Sequence, residues 1–202
     1  MLVQHNASLI LASTSQVRKK ILQESGLKFN IIPPDFNEKK AKKKFPQKTI
    51  KELAIFLAEG KALSISTQYP TAYVIGSDQV CEFAEKEIPK SENISEAVSQ
   101  LKKMNGQTHF QNNSTVIAIN GKIIFRNFSR VKLRMRQLSQ VEIENYVAAD
   151  QSFGCAGSYK YESLGKHLFE KIAGDYYSIL GLAIQPLLTF LHRKKIITIK
   201  SS

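Results

Sequence analysis

The sequence predicts an α/β protein with a mixed β-sheet flanked by helices. Apolar runs typical of buried strands alternate along the chain with amphipathic helical stretches. Two long β-rich stretches, 108–119 and 122–136, flank Asn120-Gly121, the strongest short signal for a type I′ hairpin. Because a long hairpin does not fit a purely parallel sheet, we expect a mixed one. The 202 residues suit a single domain, 1–202, with two lobes.

The first half of the chain alternates strands and helices. Residues 16–25 form a helix with one apolar side, which Gly26 ends as a left-handed cap. Residues 49–67 have the periodicity of a long amphipathic helix. Ser95 is a plausible N-cap for a helix at 95–104. The strands expected here are 8–12, 28–33 and 72–81, and residues 35–48 are expected to form a polar loop.

The second half begins with the hairpin and continues with less regular segments. Ser139 is expected to cap a helix that runs to about Ala149. Residues 154–165 are rich in glycine and serine and are expected to be irregular. A short strand at 167–172 and a closing helix at 176–191 complete the chain.

Composition indicates an ordinary soluble globular protein, with 43% hydrophobic and 23% charged residues. No apolar run reaches the roughly 18 residues that cross a bilayer, and no secretory signal is recognisable, so a cytoplasmic location is expected. Cys81 and Cys155 lack zinc-site spacing and are expected to be free thiols. The net charge of +12 favours anionic partners. The lysines at 39–44 indicate a solvated loop, and the alternative is a nucleic-acid-binding surface. No recognised nucleic-acid-binding motif accompanies them, so nucleic acid is not the expected partner.

The stretch LILASTSQVRKK joins a buried strand to a helix through a turn rich in hydroxyl groups. The first N–H groups of a helix are unpaired and lie at the positive end of the helix dipole, so they can bind an anion. Ser13 and Ser15 add hydroxyl groups, and Arg18 can bind two phosphate oxygens at once. The alternative is that Ser15 merely caps the helix.

Two acidic motifs could carry chemistry. In VIGSDQVC, Asp78 lies at the end of an apolar strand, where α/β proteins usually build their sites. It could activate water or hold a divalent cation. In DFNE, Asp35 and Glu38 follow a strand; they could be metal ligands, or simple turn and surface residues.

Three further residues lie in polar or small-residue segments. Lys61 in AEGKA and Lys90 in IPKS would, taken alone, be ordinary surface lysines. Glu162 is the only carboxylate in CAGSYKYESLG, where small residues allow a ligand to approach the backbone. The alternative is a solvated glutamate in a surface loop.

Taken together and in this order, the motifs resemble those of the Maf family of nucleotide pyrophosphatases over about residues 9–191. The segment ASTSQVR is similar to the family's A-S-x-S-P-x-R opening and DFNE to its D-x-x-E, followed by AEGKA, GSDQ, NGQTH and AGSYKYESLG. The resemblance implies an elongated mixed sheet flanked by helices, the Maf and inosine triphosphatase-like fold, with an active-site cleft between two lobes. It also implies a homodimer and hydrolysis of a nucleoside triphosphate to its monophosphate and pyrophosphate.

The resemblance implies a role for each matched residue. Asp78 matches the acidic residue regarded as the proton acceptor. The positions that match residues around the phosphates are Ser13, Ser15, Arg18, Lys61 and Lys90. Glu38 and Asp78 match the ligands of a divalent metal, Mg²⁺ or Mn²⁺.

GSDQVC and CAGSYKYE are similar to the branch of the family assigned to 7-methyl-GTP. Base selectivity would then depend on Val17, Gln79 and Glu162, with Glu162 accepting from the N1 and N2 edge of guanine. The chain departs from the family pattern at Gln16, Val17, Ser91 and Gln107. A valine at position 17 would lose part of the cation–π attraction to a methylated base, about 0.5–2 kcal/mol. The alternatives are a pyrophosphatase for another nucleotide, such as dTTP or UTP, and a nucleotide-binding regulator of cell division without turnover.

Overall fold

The structure, a computed structural model, describes residues 2–45 and 49–200. The strands are β1 (Val3–His5), β2 (Leu9–Leu11), β3 (Asn30–Ile31), β4 (Tyr73–Phe83), β5 (Lys86–Ile88), β6 (Thr108–Ile119), β7 (Lys122–Met135), β8 (Phe169–Ala173) and β9 (Ile197–Ile199). The helices are α1 (Gln16–Glu24), α2 (Glu38–Lys44), α3 (Ile50–Ser66), α4 (Ile94–Met104), α5 (Gln140–Asp150), α6 (Tyr176–Ile179) and α7 (Ile184–Arg193), with a 3₁₀ turn at Leu164–Leu168. These elements confirm the predicted mixed α/β class.

The chain divides into two compact units, and strands β4, β6 and β7 contribute residues to both. The first unit comprises residues 1–78, 113–129 and 181–202, and the second comprises residues 79–112 and 130–180. The active-site cleft implied by the family resemblance stays a prediction. Within the described residues, no helix has both the length and the apolar character needed to span a membrane.

The first unit contains a sheet in the order β3-β2-β4-β6-β7. Strand β2 pairs in parallel with both β3 and β4, while β6 and β7 form the expected hairpin at Asn120-Gly121. Both turn residues have positive φ, as a type I′ turn requires. Helix α3 packs its alanine-rich face on this sheet, in a core that includes Ile10, Ala58 and Val74. Strands β1 and β9, which the sequence analysis missed, form a separate antiparallel pair.

The second unit contains the β4-β6-β7-β8 part of the sheet, with β5 paired antiparallel to β4. Helices α4 and α5 supply Leu101, Met104 and Val147 to its core, which also contains Leu133 and Met135 of β7. The cysteines are free thiols, as expected; Cys81 is buried and Cys155 is partly buried.

Four predicted elements were wrong in part. Residues 38–44 of the expected polar loop form α2, because the Asn37 side chain caps the helix and lysine and alanine favour helical backbone; residues 46–48 lie outside the described residues. Asn93, not Ser95, caps α4 by accepting from the Glu96 N–H at 2.9 Å.

The expected closing helix is divided into α6 and α7 around Gly181, whose φ of +94° is outside the helical region. The strand expected at 167–172 begins only at Phe169, after the 3₁₀ turn. The short strand β5 had not been expected.

Candidate active site

The first helix begins where the sequence indicates. Ser15 caps α1 by accepting a hydrogen bond from the Arg18 backbone N–H at 3.4 Å. The buried Ser13 hydroxyl oxygen accepts from the Ser15 backbone N–H at 3.1 Å. The two interpretations of Ser15 are therefore compatible. Ser15 caps the helix, and the same turn exposes the helix N-terminus, where an anion can bind.

The Arg18 side chain is held on both sides of its guanidinium group. Its Nε donates to the Gly181 carbonyl oxygen at 2.8 Å, and its Nη1 lies 3.4 Å from the Ser13 hydroxyl oxygen. Burial lowers the pKa of Arg18, while the negative charges of Asp78 and Glu38 raise it. Because arginine stays protonated in proteins, this group supplies a fixed positive charge near two carboxylates.

Lys61 joins the two carboxylates. Its Nζ lies 2.7 Å from the Glu38 carboxylate and 2.5 Å from Asp78 Oδ1. The side chains of Lys61 and Asp78 are each 8% exposed, and that of Glu38 is 36% exposed. Buried charges are costly unless they are paired, so the three groups compensate one another. Two carboxylates thus converge on one position that a cation fills.

Two glycines allow this convergence. A Cβ atom at Gly60 would lie 2.3 Å from the Phe36 ring, and one at Gly76 would lie 2.5 Å from the Ala58 carbonyl oxygen. The first contact lets the segment before Glu38 pack against α3. The second lets α3 approach β4 closely, two residues before Asp78. A glycine within two residues of the charged side chain in both AEGKA and GSD is a sequence signal for this close packing.

The sequence analysis missed Asn113, a fully buried residue of β6. Its Nδ2 donates to the Asp78 carbonyl oxygen at 3.0 Å and to the Ser77 hydroxyl oxygen at 3.2 Å. Its Oδ1 accepts from the Ala183 N–H at 3.3 Å. The Ser77 hydroxyl lies 2.9 Å from the Gly181 carbonyl oxygen, the same oxygen that accepts from Arg18. Asn113 therefore supports the backbone on which both Asp78 and Arg18 depend.

The expected selectivity residues occupy different surroundings. Val17 lies in the first turn of α1 and is partly buried. Gln79 belongs to the second unit, where its Nε2 donates to the Ile179 carbonyl oxygen at 2.6 Å. This hydrogen bond fixes the Gln79 amide on α6 and sets its orientation.

Lys90 and Glu162 are exposed residues of the second unit and share one neighbour, Cys155. Burial raises the pKa of the Cys155 thiol, the Glu162 charge raises it further, and Lys160 and Lys90 lower it. All three charged groups are therefore close enough to Cys155 to change its titration. Glu162 and Lys90 are thus grouped around one segment, and the roles assigned to them stay predictions.

Ser91, which replaces a proline of the family pattern, connects this segment to the rest of the second unit. The buried Ser158 hydroxyl lies 2.9 Å from the Ser91 hydroxyl oxygen and 2.6 Å from Gln100 Oε1. The Ser91 carbonyl oxygen also accepts from the Gly154 N–H at 2.8 Å. A hydroxyl at position 91 therefore holds the residue after Lys90 against the loop that contains Cys155.

The site contains two carboxylates that a divalent metal could use as ligands. Within residues 2–45 and 49–200, no three His, Cys, Asp or Glu side chains form a group that could hold a metal ion. Glu38 and Asp78 nevertheless converge on one cationic position. Mg²⁺ is usually bound by one or two carboxylates together with water and substrate phosphates, and this pair fits that pattern.

The structure brings together most of the predicted phosphate and metal residues. The six that gather in the first unit are Ser13, Ser15, Arg18, Glu38, Lys61 and Asp78. Gln79, Lys90 and Glu162 belong to the second unit. The roles assigned to all of them stay predictions.

Comparisons with known proteins show the family to which the chain belongs. The family model described as "Maf-like protein" matches residues 8–194. A nucleoside triphosphate pyrophosphatase of Bradyrhizobium diazoefficiens is 36% identical over 193 residues, which cover 95% of this chain and 96% of the relative. A nucleoside triphosphate pyrophosphatase of Legionella pneumophila strain Corby is 36% identical over 191 residues, which cover 95% of this chain and 96% of the relative.

Among solved structures, a HAM1 protein from Coxiella burnetii overlaps 65% of this chain and 74% of its own. The TM-score is 0.42 and the identity 15%.

Proposed function

The chain belongs to the Maf family, and from this premise we propose that it is a nucleoside triphosphate pyrophosphatase with 7-methyl-GTP as its substrate. The observation that carries the proposal is the contact of Lys61 with both Glu38 and Asp78, beside the guanidinium of Arg18. The relatives at 36% identity carry the name of this activity, and they match nearly the full length of the chain.

Phosphate binding is the first task of such a site. Arg18 presents a planar, permanently charged donor group, which suits two phosphate oxygens. The α1 N-terminus adds backbone N–H groups, and the hydroxyls of Ser13 and Ser15 lie in the same turn. In the proposal, Lys61 and Lys90 supply the remaining positive charge that a triphosphate requires.

Hydrolysis requires a water molecule to lose a proton as it attacks the α-phosphorus. The water oxygen forms a bond to that phosphorus, the bond to the bridging oxygen breaks, and pyrophosphate leaves with the electron pair. Asp78 accepts the proton, since its carboxylate lies at the centre of the site, 2.5 Å from the Lys61 Nζ, and a carboxylate can act as a general base. Lys61 then stays close to both carboxylates and orients them.

A divalent cation, Mg²⁺ or Mn²⁺, belongs to the proposal. Glu38 and Asp78 would hold it, and when bound it would neutralise phosphate charge and polarise the α-phosphorus. Both carboxylates already lie within 2.7 Å of the Lys61 ammonium, so their oxygens converge as a hard cation requires.

The choice of 7-methyl-GTP depends on the second unit. Methylation at N7 gives guanine a positive charge, and the Glu162 carboxylate could accept from its N1 and N2 groups. The same carboxylate would repel the carbonyl edge of uracil or thymine. Lys90 near the same segment would bind phosphate. A cytoplasmic location and a homodimer accompany this proposal, as the family resemblance implies.

Replacing the proposed proton acceptor tests the reaction. We expect Asp78→Asn to lower kcat by about a hundredfold or more, because the amide cannot accept the proton. Pyrophosphate release from 7-methyl-GTP with Mg²⁺ measures the effect. Asp150→Asn is the matched control, since Asp150 is also buried and instead accepts from the Tyr146 hydroxyl at 2.9 Å.

Thermal melting of both variants shows whether each one is folded. A folded Asp78→Asn protein with nearly normal kcat would exclude Asp78 as the proton acceptor. A comparable loss in Asp150→Asn would assign the effect to general destabilisation.

A further inference from the structure

One face of β7 in the second unit is basic. Arg130, Lys132 and Arg134 alternate with Val131, Leu133 and Met135, which are all fully buried. Because successive strand residues point to opposite faces, the three cations share the outer face of the sheet. All three are exposed.

Strand β8 adds a further cation, Lys171, to this face, and its Glu170 pairs with Arg134. Lys171 lies directly opposite Arg134, and Ala173 lies opposite Lys132. Like charges directly opposite each other on neighbouring strands destabilise a sheet. Arg134 and Lys171 therefore repel each other, and a bound anion would reduce this repulsion. A groove of about 450 Å³ lies here, and Thr108, Lys132, Arg134 and Lys171 are among its lining residues. We call Arg130, Lys132, Arg134 and Lys171 the basic face.

The carboxylates near the basic face are both held by arginines. Glu82 lies 2.7 Å from Arg130 and accepts from Asn112 at 2.8 Å. Glu170 lies 3.3 Å from Arg134. In the part of the chain that the structure describes, neither Lys132 nor Lys171 has an ion-pair partner. The face therefore keeps an excess of positive charge on a protein whose net charge is +12.

We propose that the basic face binds the phosphodiester backbone of single-stranded RNA. Cations at alternate strand positions recur every roughly 7 Å, which is about twice the 3.4 Å axial rise per nucleotide of a stacked strand. The Arg130 guanidinium lies 3.5 Å from the centre of the Phe110 ring. A stacked guanidinium of this kind offers a flat surface for an unpaired base.

The surface suits a nucleic acid better than a membrane. Ile172, 37% exposed, is the exposed large apolar residue in the groove, whereas membrane-binding faces combine cations with several large apolar side chains. From the sequence alone, the lysines of 39–44 are the candidate nucleic-acid surface. The basic face is not recognisable in the sequence, because pairing between β7 and β8 brings its cations together. The inference does not depend on the proposed enzymatic activity.

A fluorescein-labelled oligouridylate of about twenty nucleotides is the probe, and its fluorescence anisotropy measures binding over a range of salt concentrations. The test variant is the triple substitution Lys132→Gln, Arg134→Gln and Lys171→Gln. The control is Lys40→Gln, Lys43→Gln and Lys44→Gln on α2, which removes the same charge from the exposed lysine-rich helix. Thermal melting confirms that both are folded.

Each phosphate contact contributes about 0.7 to the slope of log K against log salt for single strands. Loss of three contacts should therefore lower the magnitude of the slope by about two and the affinity about a hundredfold at about 0.1 M salt. The α2 control should bind almost as the unsubstituted protein does. Pyrophosphate release should not change in either variant.

Four outcomes would overturn the proposal. The unsubstituted protein could fail to bind the oligonucleotide, or both variants could lose affinity equally, which would indicate diffuse charge attraction. The α2 control alone could lose binding, which would place the footprint on that helix. The basic-face variant could keep RNA binding but lose binding to phosphatidylserine vesicles, which would assign the face to a membrane.

Discussion

At the residue scale, His109 shows how burial determines a charge state. The side chain is fully buried, its Nε2 lies 3.0 Å from the Tyr159 hydroxyl, and its ring packs against Phe169. Burial lowers the pKa of His109 from 6.5 to about 4. His109 is therefore neutral at physiological pH, and it serves the core of the second unit.

This residue predicts how stability depends on pH. The folded pKa lies below the unfolded one, so between pH 6.5 and about 4 the unfolded state binds more protons. The stabilisation is complete above pH 6.5 and is lost as the pH falls towards 4. The loss is about 3 kcal/mol in the free energy of unfolding. Urea unfolding across this range, compared between His109→Gln and the unsubstituted protein, measures it.

His192→Gln is the control, because His192 is an exposed residue of α7. It should leave the pH dependence unchanged, while His109→Gln should be less sensitive to acid. If His109→Gln loses stability with pH as steeply as the unsubstituted protein, His109 does not carry the effect.

At the element scale, strand β6 places polar residues where a core strand is normally apolar. The buried polar residues of this strand are His109, Gln111, Asn112, Asn113, Ser114 and Thr115. Buried polar groups need hydrogen-bond partners, and Asn113 finds four, among them the carbonyl oxygen of Asp78. The strand therefore supports the candidate site through hydrogen bonds to the backbone next to it.

Replacing Asn113 tests this support. We expect Asn113→Ala to lower the free energy of unfolding by about 1–3 kcal/mol, because it leaves buried groups unpaired. We also expect kcat to fall in the folded protein, since the backbone that holds Asp78 and Arg18 loses its anchor. Urea unfolding and pyrophosphate release measure the two effects.

Ser114→Ala is the matched control, because this buried hydroxyl donates to the Asn127 carbonyl oxygen at 3.3 Å. It should cost stability and leave kcat unchanged. Equal loss of kcat in the two variants, or none in Asn113→Ala, would remove Asn113 from a positioning role.

Elements also show what the sequence could predict. The helix start at Ser15 and the turn at Asn120-Gly121 were predictable, because caps and tight turns depend on neighbouring residues. The helix break at Gly181 was not. Its carbonyl oxygen accepts a hydrogen bond from Arg18, 163 positions away. The local hydrophobic pattern of the sequence cannot indicate such a long-range contact.

At the scale of the whole molecule, the predicted site residues are distributed between the two compact units. The ordered motifs led to the residues proposed for phosphate and metal binding, although Lys61 lies inside α3 and Asp78 lies inside β4, not at the strand end where the sequence placed it. They could not indicate that Lys61 joins Glu38 to Asp78, or that Ser91 and Ser158 connect the loop after Lys90 to α4. Both features depend on packing between segments distant in sequence.

The most direct test of the proposed function is pyrophosphate release from a panel of nucleotides, with Mg²⁺ or Mn²⁺ present. The panel contains 7-methyl-GTP, GTP, UTP, dTTP, CTP and ATP, and it is run on the unsubstituted protein and on Glu162→Gln. The account predicts that 7-methyl-GTP is the preferred substrate, and that Glu162→Gln changes the ranking while it leaves hydrolysis intact. Preference for another nucleotide would reject the assigned substrate and keep the reaction. Absence of pyrophosphate from every nucleotide, with the protein folded and the metal present, would contradict the central claim.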